Sequence, residues 1–162
     1  MGFYAERIFP WILDATEPPG LADIRREVLS GVRGRILEVG FGTGGNLPYY
    51  PSEVRKLTVI EPSGGMKRRA AKRIANWGGE IESVPFDGPI WPLPDASFDT
   101  VVMTLVLCSA SDPAGVLSEI ARVLKPGGHY ISSNMSPPRT PQSCATSSVS
   151  TASTKSSPAV AA

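Results

Sequence analysis

The sequence predicts an α/β fold, a Rossmann-like doubly wound sheet with about five parallel strands. Short runs of aliphatic and β-branched residues without polar alternation recur along the chain, and amphipathic helical patterns separate them. Apolar strands that alternate with helices are typical of a parallel sheet covered on both faces. Ligands of such sheets bind beyond the carboxyl ends of the strands, so functional residues are expected directly after each strand.

Five segments have the pattern of buried strands. Each is rich in Val, Ile, Leu or other strand-forming residues, and Gly, Pro, Asp or Ser lies close to its ends. The last one follows the sequence Lys-Pro-Gly-Gly at 125–128, which we interpret as a turn. The five predicted strands cover residues 35–39, 57–61, 81–84, 98–108 and 129–132.

Three helices are predicted between these strands or before them. The first covers residues 21–32, where apolar residues recur at helical spacing and glycines follow. The second runs from an N-cap at Ser63 to Asn76, and two glycines end it. The third begins at the cap and first-turn pair Asp112-Pro113 and runs to Leu124.

The composition of the chain changes at Ser133. Ser, Thr, Pro and Ala make up 22 of the 30 residues from 133 to 162, and this segment has no acid and no aromatic residue. Such a segment lacks the apolar side chains that offset the entropy cost of folding. We therefore expect one folded domain over residues 1–132 and a disordered tail over residues 133–162.

Composition argues against several classes of protein. The 16 Lys and Arg residues nearly balance the 15 Asp and Glu residues, whereas dedicated nucleic-acid-binding proteins usually have a basic excess. The longest apolar run, 101–108, is shorter than the ~20 residues of a membrane-spanning helix, and no signal peptide pattern opens the chain. Cys108 and Cys144 lie far apart without a histidine cluster, so we expect neither a disulfide framework nor a metal site. The sequence predicts a cytoplasmic protein.

A glycine-rich run follows the first strand. Residues 38–46 read Glu-Val-Gly-Phe-Gly-Thr-Gly-Gly-Asn, and glycines let a ligand approach the backbone closely. Gly40, Gly42 and Gly45 fit the dinucleotide pattern G-x-G-x-x-G, whereas Glu38 with Gly40, Gly42 and Gly44 fits E-x-G-x-G-x-G of S-adenosylmethionine (SAM) enzymes. Glu61 ends the second strand, where a carboxylate accepts hydrogen bonds from ribose hydroxyls. These features favour NAD and SAM equally.

The segments that follow distinguish the two. Asp87 lies just past the third strand, and 105–113 and 119–128 read LVLCSASDP and EIARVLKPGG. With these motifs in order, the sequence resembles the class I SAM-dependent methyltransferases, and in particular the type-11 methyltransferase domains with their thiol methyltransferase-like branch. The resemblance covers roughly residues 2–130. It implies N-terminal lid helices within residues 1–32 and a nucleotide-binding core over residues 33–132.

The resemblance also implies a role for each motif residue. The loop glycines line the methionine and ribose portions of SAM, with Glu38 near the amino group or fixing the loop. Glu61 holds the ribose hydroxyls, Asp87 accepts from the adenine amino group, and residues 105–109 border the methyl group and the substrate. Phe3, Tyr4 and Phe9 belong to the lid. The implied cofactor-binding residues are Glu38, Gly40, Gly42, Gly44, Asn46, Glu61, Asp87, Gly88 and Leu105.

Other polar residues are interpreted as structural. Asp99 and residues 125–128 are expected to stabilise turns, His129 at the start of the fifth strand to be a satisfied structural histidine, and Cys108 to be packed. No candidate catalytic base is identified, and a thiol or phenol substrate that reacts as its anion needs none.

The chain departs from the family near its end. The family sheet has seven strands in the order 3-2-1-4-5-7-6, whereas this sequence supplies five before the Ser- and Thr-rich tail. We interpret the switch as a truncated or frameshifted end, which would leave cofactor binding intact and impair turnover.

Three functions remain open from the sequence. The first is methyl transfer from SAM to a small or lipophilic acceptor, with contact to a membrane surface left open. The second is an NAD(P)-dependent oxidoreductase, although the chain lacks a Tyr-x-x-x-Lys pair. The third is a remnant that binds SAM or a partner without catalysis.

Overall fold

The computed structural model describes residues 20–85, 90–104 and 112–133. Five parallel strands form one sheet in the order β3-β2-β1-β4-β5. This order confirms the predicted α/β fold. The chain reverses direction across the sheet between β1 and β4, the place where open α/β sheets bind ligands. The strands are β1 (Ile36–Val39), β2 (Lys56–Ile60), β3 (Glu80–Val84), β4 (Phe98–Thr104) and β5 (Leu124–Ser133).

In the described ranges, one α-helix precedes β1, and two further α-helices and one short 3₁₀ helix lie between the strands. They are α1 (Leu21–Leu29), the 3₁₀ helix (Leu47–Tyr49), α2 (Gly64–Trp77) and α3 (Pro113–Val123). Ser63 caps α2 by accepting from the Met66 amide, and Gly78 ends it with a left-handed backbone. Asp112 caps α3 by accepting from the Gly115 amide at 3.0 Å. The sequence-based caps are confirmed.

Two apolar clusters cover the two faces of the sheet. Side chains of α1 and α2, including Leu29 and Ala70, pack on one face against Ile36 and Val59. Side chains of α3, including Ile120 and Val123, pack on the other face with Phe98, Trp91 and Leu93. Successive residues of β1 alternate between these clusters, since Ile36 lies in the first and Leu37 in the second. Burial on both faces explains the apolar runs of the central strands β1, β2 and β4, whereas β3 at the edge of the sheet is mostly exposed.

Several predicted boundaries shift by one residue, among them the end of the second strand, which is Ile60 and not Glu61. Three other corrections have a structural reason. The first helix ends at Leu29 and not at residue 32, because the Ser30 hydroxyl donates to the Glu27 carbonyl and closes the last turn. The fifth strand begins at Leu124, since Leu124 pairs with Phe98 before residues 125–128 bulge from the ladder and His129 pairs with Thr100. Ser133, assigned above to the tail, still pairs with Thr104 at the end of β5.

Some predictions fall outside the described residues. They concern the N-terminal lid, the second half of the fourth strand beyond Thr104, and the tail from residue 134. In the parts of the chain that are described, no helix combines the length and apolarity that crossing a bilayer requires.

Candidate cofactor site

The glycine loop leaves the carboxyl end of β1 in a backbone conformation that requires glycine. Gly40, Gly42 and Gly44 have φ angles of 72°, 58° and 77°, in the left-handed region that disfavours residues with a Cβ. The amides of Gly40 and Phe41 donate to the Ile60 carbonyl at 2.8 and 3.2 Å, which ties the loop to the end of β2. Apart from its two chain neighbours, no atom of the described residues would lie closer than 3.8 Å to a Cβ on Gly42, so these residues leave the space above it open.

The loop geometry favours one of the two sequence patterns. The three left-handed glycines are those of E-x-G-x-G-x-G, whereas Gly45 has no positive φ angle. The loop leads into the three-residue 3₁₀ helix and then into β2. A dinucleotide-binding fold has at this place an α-helix whose N-terminus holds the pyrophosphate. The structure therefore supports the pattern of SAM enzymes.

Glu61 joins the loop to the end of β2. The residue is buried, with a relative exposure of 6%. One carboxylate oxygen accepts from the Gly42 amide at 2.7 Å and the other from the Ser63 amide at 2.8 Å. A carboxylate has about four acceptor positions, so two remain for a ligand. Glu61 thus lies beside the loop, and its contact with a ribose stays a prediction.

Glu38 is buried beneath the loop and has a relative exposure of 1%. Asn46 donates to its Oε1 at 2.8 Å, and the Tyr50 hydroxyl donates to its Oε2 at 2.8 Å. Burial raises the pKa of Glu38 to about 7, while these two hydrogen bonds act in the opposite direction. Burial, with the neighbouring Glu38 carboxylate, also raises the pKa of Tyr50. Of the two roles expected for Glu38, this geometry supports fixing the loop.

Asn46 connects Glu38 to the end of β4. Its Nδ2 donates to Glu38 and, at 2.9 Å, to Thr104 Oγ1. Its Oδ1 is buried and has no hydrogen-bond partner among the residues that the structure describes. Asn46 is among the cofactor-binding residues predicted from the sequence, whereas Tyr50 and Thr104 are not. A buried acid needs donors, and Tyr50, in the segment directly after the loop, was the available signal for one of them.

Helix α2 also contacts the loop. Arg73 extends a guanidinium N–H to the Thr43 carbonyl at 3.0 Å. Together with Ile60 and Glu61, this contact attaches the loop to the β2–α2 segment.

The remaining predicted site residues lie outside the described ranges. The structure therefore does not bring them into the site or exclude them, and their roles stay predictions. They are Asp87, Gly88, Leu105 with the rest of 105–109, and the N-terminal residues Phe3, Tyr4 and Phe9.

Asp99, residues 125–128 and His129, which are interpreted as structural, lie at the opposite edge of the sheet, whereas Cys108 lies outside the described residues. Lys125 donates to Asp99 Oδ1 at 2.8 Å, and Asp99 Oδ2 accepts from the Arg35 amide at 2.8 Å, which holds the starts of β1, β4 and β5 together. His129 accepts through Nε2 from the Arg33 guanidinium at 3.1 Å. An open groove of about 500 Å³ also lies at this edge, away from the glycine loop. Within the described ranges, no cluster of His, Cys, Asp and Glu could hold a metal ion.

The family model for the methyltransferase domain matches residues 37–132, from β1 to β5. The chain belongs to the methyltransferase domain family. This match confirms the resemblance found in the sequence.

Curated relatives of this methyltransferase domain include thiol S-methyltransferases. Thiol S-methyltransferase TMT1B of Rattus norvegicus is 42% identical over 96 residues, which cover 57% of this chain and 39% of the rat protein. Thiol S-methyltransferase TMT1B of Homo sapiens is 34% identical over 134 residues, which cover 74% of this chain and 54% of the human protein. The chain thus matches about half of the length of these relatives.

A solved structure shares the fold of this methyltransferase domain. The crystal structure of a SAM dependent methyltransferase from Aquifex aeolicus superimposes with a TM-score of 0.65. The match covers 82% of this chain and 77% of the other, with 24% sequence identity. The predicted Rossmann-like methyltransferase fold is confirmed.

Proposed function

We propose that this chain binds SAM at the carboxyl ends of β1, β2 and β4 and transfers its methyl group to a thiol on a small or lipophilic molecule. The observation that carries the proposal is the hydrogen bond from the Gly42 amide to Glu61. It joins a carboxylate suited to a ribose to a glycine loop suited to close ligand approach, in a chain of the methyltransferase family. Family and fold neighbours both indicate SAM as the cofactor.

The described residues fit the nucleoside part of such a cofactor. The two acceptor positions left on Glu61 match the two hydroxyls of a ribose. The open space above Gly42 admits the ligand against the loop backbone. Asp87 and Gly88 are proposed to hold the adenine, and Leu105 with the rest of residues 105–109 to border the methyl group and the substrate, as the family resemblance implies.

Methyl transfer from SAM to a thiol requires mainly that the protein orient the two reactants. The sulfonium of bound SAM supplies an electrophilic methyl group. A thiol has a pKa near 8.5, so a usable fraction reacts as thiolate near neutral pH without a dedicated base. The protein then contributes mainly orientation of the two reactants, which supplies up to ~7–11 kcal/mol of a barrier. A thiol acceptor is consistent with the absence of a candidate base in the sequence and with the names of the relatives.

Calorimetric titration tests the cofactor. SAM is expected to bind and NAD is not, because the loop continues into a 3₁₀ helix. Glu61→Ala is expected to weaken SAM binding by about 1–3 kcal/mol, since it leaves buried groups unpaired. Glu61→Gln retains one acceptor oxygen, so its SAM affinity should fall less than that of Glu61→Ala. Glu53→Ala removes an exposed acid and should bind SAM like the wild type. Binding of NAD in place of SAM would contradict the proposal.

Methyl transfer from labelled SAM tests the acceptor. Small alkyl and aryl thiols are the expected substrates, compared with matched phenols and with lipid amines. Transfer to amines but not to thiols would overturn the acceptor class. SAM binding without any transfer would instead support a non-catalytic SAM-binding chain.

A further inference from the structure

The side-chain amide of Asn46 has an orientation set by its neighbours. Both of its N–H groups are used, one by Glu38 Oε1 at 2.8 Å and the other by Thr104 Oγ1 at 2.9 Å. Glu38, when ionised, only accepts hydrogen bonds, so a flipped amide would bring two acceptor oxygens together. While Glu38 is ionised, the network therefore determines which end of the amide faces it.

The other end of this amide carries an unused acceptor. Asn46 has a relative exposure of 3%, and its Oδ1 has no partner within the described part of the chain. Buried polar atoms are nearly always hydrogen-bonded, and leaving one unpaired costs free energy. Asn46 directly follows the glycine loop and contacts the last residue of β4, so this oxygen belongs to the edge where the cofactor is proposed to bind.

The proposed cofactor has one donor that the other site residues do not use. Its ribose hydroxyls are assigned to Glu61 and its adenine amino group to Asp87. The α-ammonium group of its methionine portion remains, with three N–H donors and a positive charge. The side-chain carbonyl oxygen of an amide that is itself hydrogen-bonded to a carboxylate is a suitable acceptor for such a group.

We propose that Asn46 Oδ1 accepts a hydrogen bond from the ammonium group of SAM, and that Glu38 and Tyr50 are positioning residues that hold the Asn46 amide for it. This inference rests on the proposed function. Both carboxylate oxygens of Glu38 already accept hydrogen bonds, from Asn46 and from Tyr50, so Glu38 acts through Asn46. Tyr50 acts one step further away, through its hydroxyl on Glu38 Oε2.

The arrangement makes cofactor affinity dependent on pH. Four groups act on the Glu38 carboxyl: Tyr50, Asn46, the Arg25 guanidinium from α1 and the Glu61 carboxylate. Ionised Glu38 keeps the Asn46 amide in place and attracts the ammonium group, so affinity should rise as pH increases through about 7.

The decisive experiment compares two ligands by calorimetry in the full chain. S-adenosylhomocysteine carries the ammonium group, and 5′-deoxy-5′-(3-carboxypropylthio)adenosine is the same molecule with hydrogen in its place. Asn46→Ala should weaken the first ligand roughly tenfold and leave the second within about twofold. An equal loss for both ligands would overturn the inference, since a general distortion affects both. If neither ligand binds the wild type, the proposed function fails and the inference fails with it.

A second variant tests the positioning residues. Tyr50→Phe removes a hydrogen bond that favours ionised Glu38, so the pH midpoint of S-adenosylhomocysteine affinity should move upward. Tyr49→Phe is the matched control, because Tyr49 lies next to Tyr50 and has no bond to Glu38 among the described contacts. An unchanged midpoint in Tyr50→Phe would remove Tyr50 and Glu38 from this role.

Discussion

Replacement of Glu38 by Gln should change how stability depends on pH. Glu38 is buried with two donors, and burial raises its pKa from 4.5 to about 7. The folded chain therefore binds a proton more tightly at this carboxyl than the unfolded chain does. The stabilisation from this proton is fully present below pH 4.5 and is lost as pH rises through about 7.

The size of the effect follows from this difference in pKa. At about 1.36 kcal/mol per pKa unit, the rise in the pKa of Glu38 from 4.5 to about 7 corresponds to about 3 kcal/mol of stability at low pH. Most of this change falls between pH 5 and pH 8. The Gln variant has no proton to lose at this position, although it also forces an amide N–H against one of the two donors. That second cost does not depend on pH.

Urea unfolding at several pH values between 5 and 8 measures the effect. The free energy of unfolding of the wild type minus that of Glu38→Gln should fall by about 2–3 kcal/mol over this range. Other titrating groups occur in both proteins and cancel in the difference. Glu53→Gln, at an exposed acid, should give a constant difference. A constant or rising difference for Glu38→Gln would refute the reasoning.

Three further predictions concern the loop and two polar contacts. Gly42→Ala and Gly127→Ala both place a Cβ on a left-handed residue in open space, so each should lower the free energy of unfolding by about 1 kcal/mol. In calorimetry, only Gly42→Ala should weaken SAM binding. Arg122→Ala removes the donors to Glu119 and to the carbonyls of Trp91 and Leu93. In urea titrations it should lower the free energy of unfolding by about 2–3 kcal/mol, and Arg122→Lys should lower it by less. Lys125→Ala breaks a half-exposed ion pair at the opposite edge and should cost less than ~1 kcal/mol, with SAM affinity unchanged. A large loss of affinity in Lys125→Ala would contradict the separation of the two edges.

The sequence predicted the sheet and the glycine loop because both depend on local patterns. Buried parallel strands appear as continuous apolar runs, and Gly40, Gly42 and Gly44 occupy backbone conformations that other residues disfavour. The cap at Ser63 depends on a hydrogen bond between neighbouring residues, so it was also predictable.

Several of the missed features depend on contacts between distant parts of the chain. Thr104 bonds Asn46 across 58 positions, and no local pattern marks it. The start of β5 was misplaced because Leu124 pairs with Phe98 before the turn, which only the register of the sheet reveals. The pKa of Glu38 likewise depends on burial, which the motif alone does not give.

The attachments of the glycine loop have a mechanical consequence. The loop is bonded to the Ile60 carbonyl, the Glu61 carboxylate and the Arg73 guanidinium, all of which belong to one β–α unit. A fluctuation that detaches this unit from its neighbours would also dismantle the loop, and a nucleoside seated there would restrain both. Hydrogen exchange in β2 and α2 should consequently slow when the cleft is filled, even at amides that never meet the ligand.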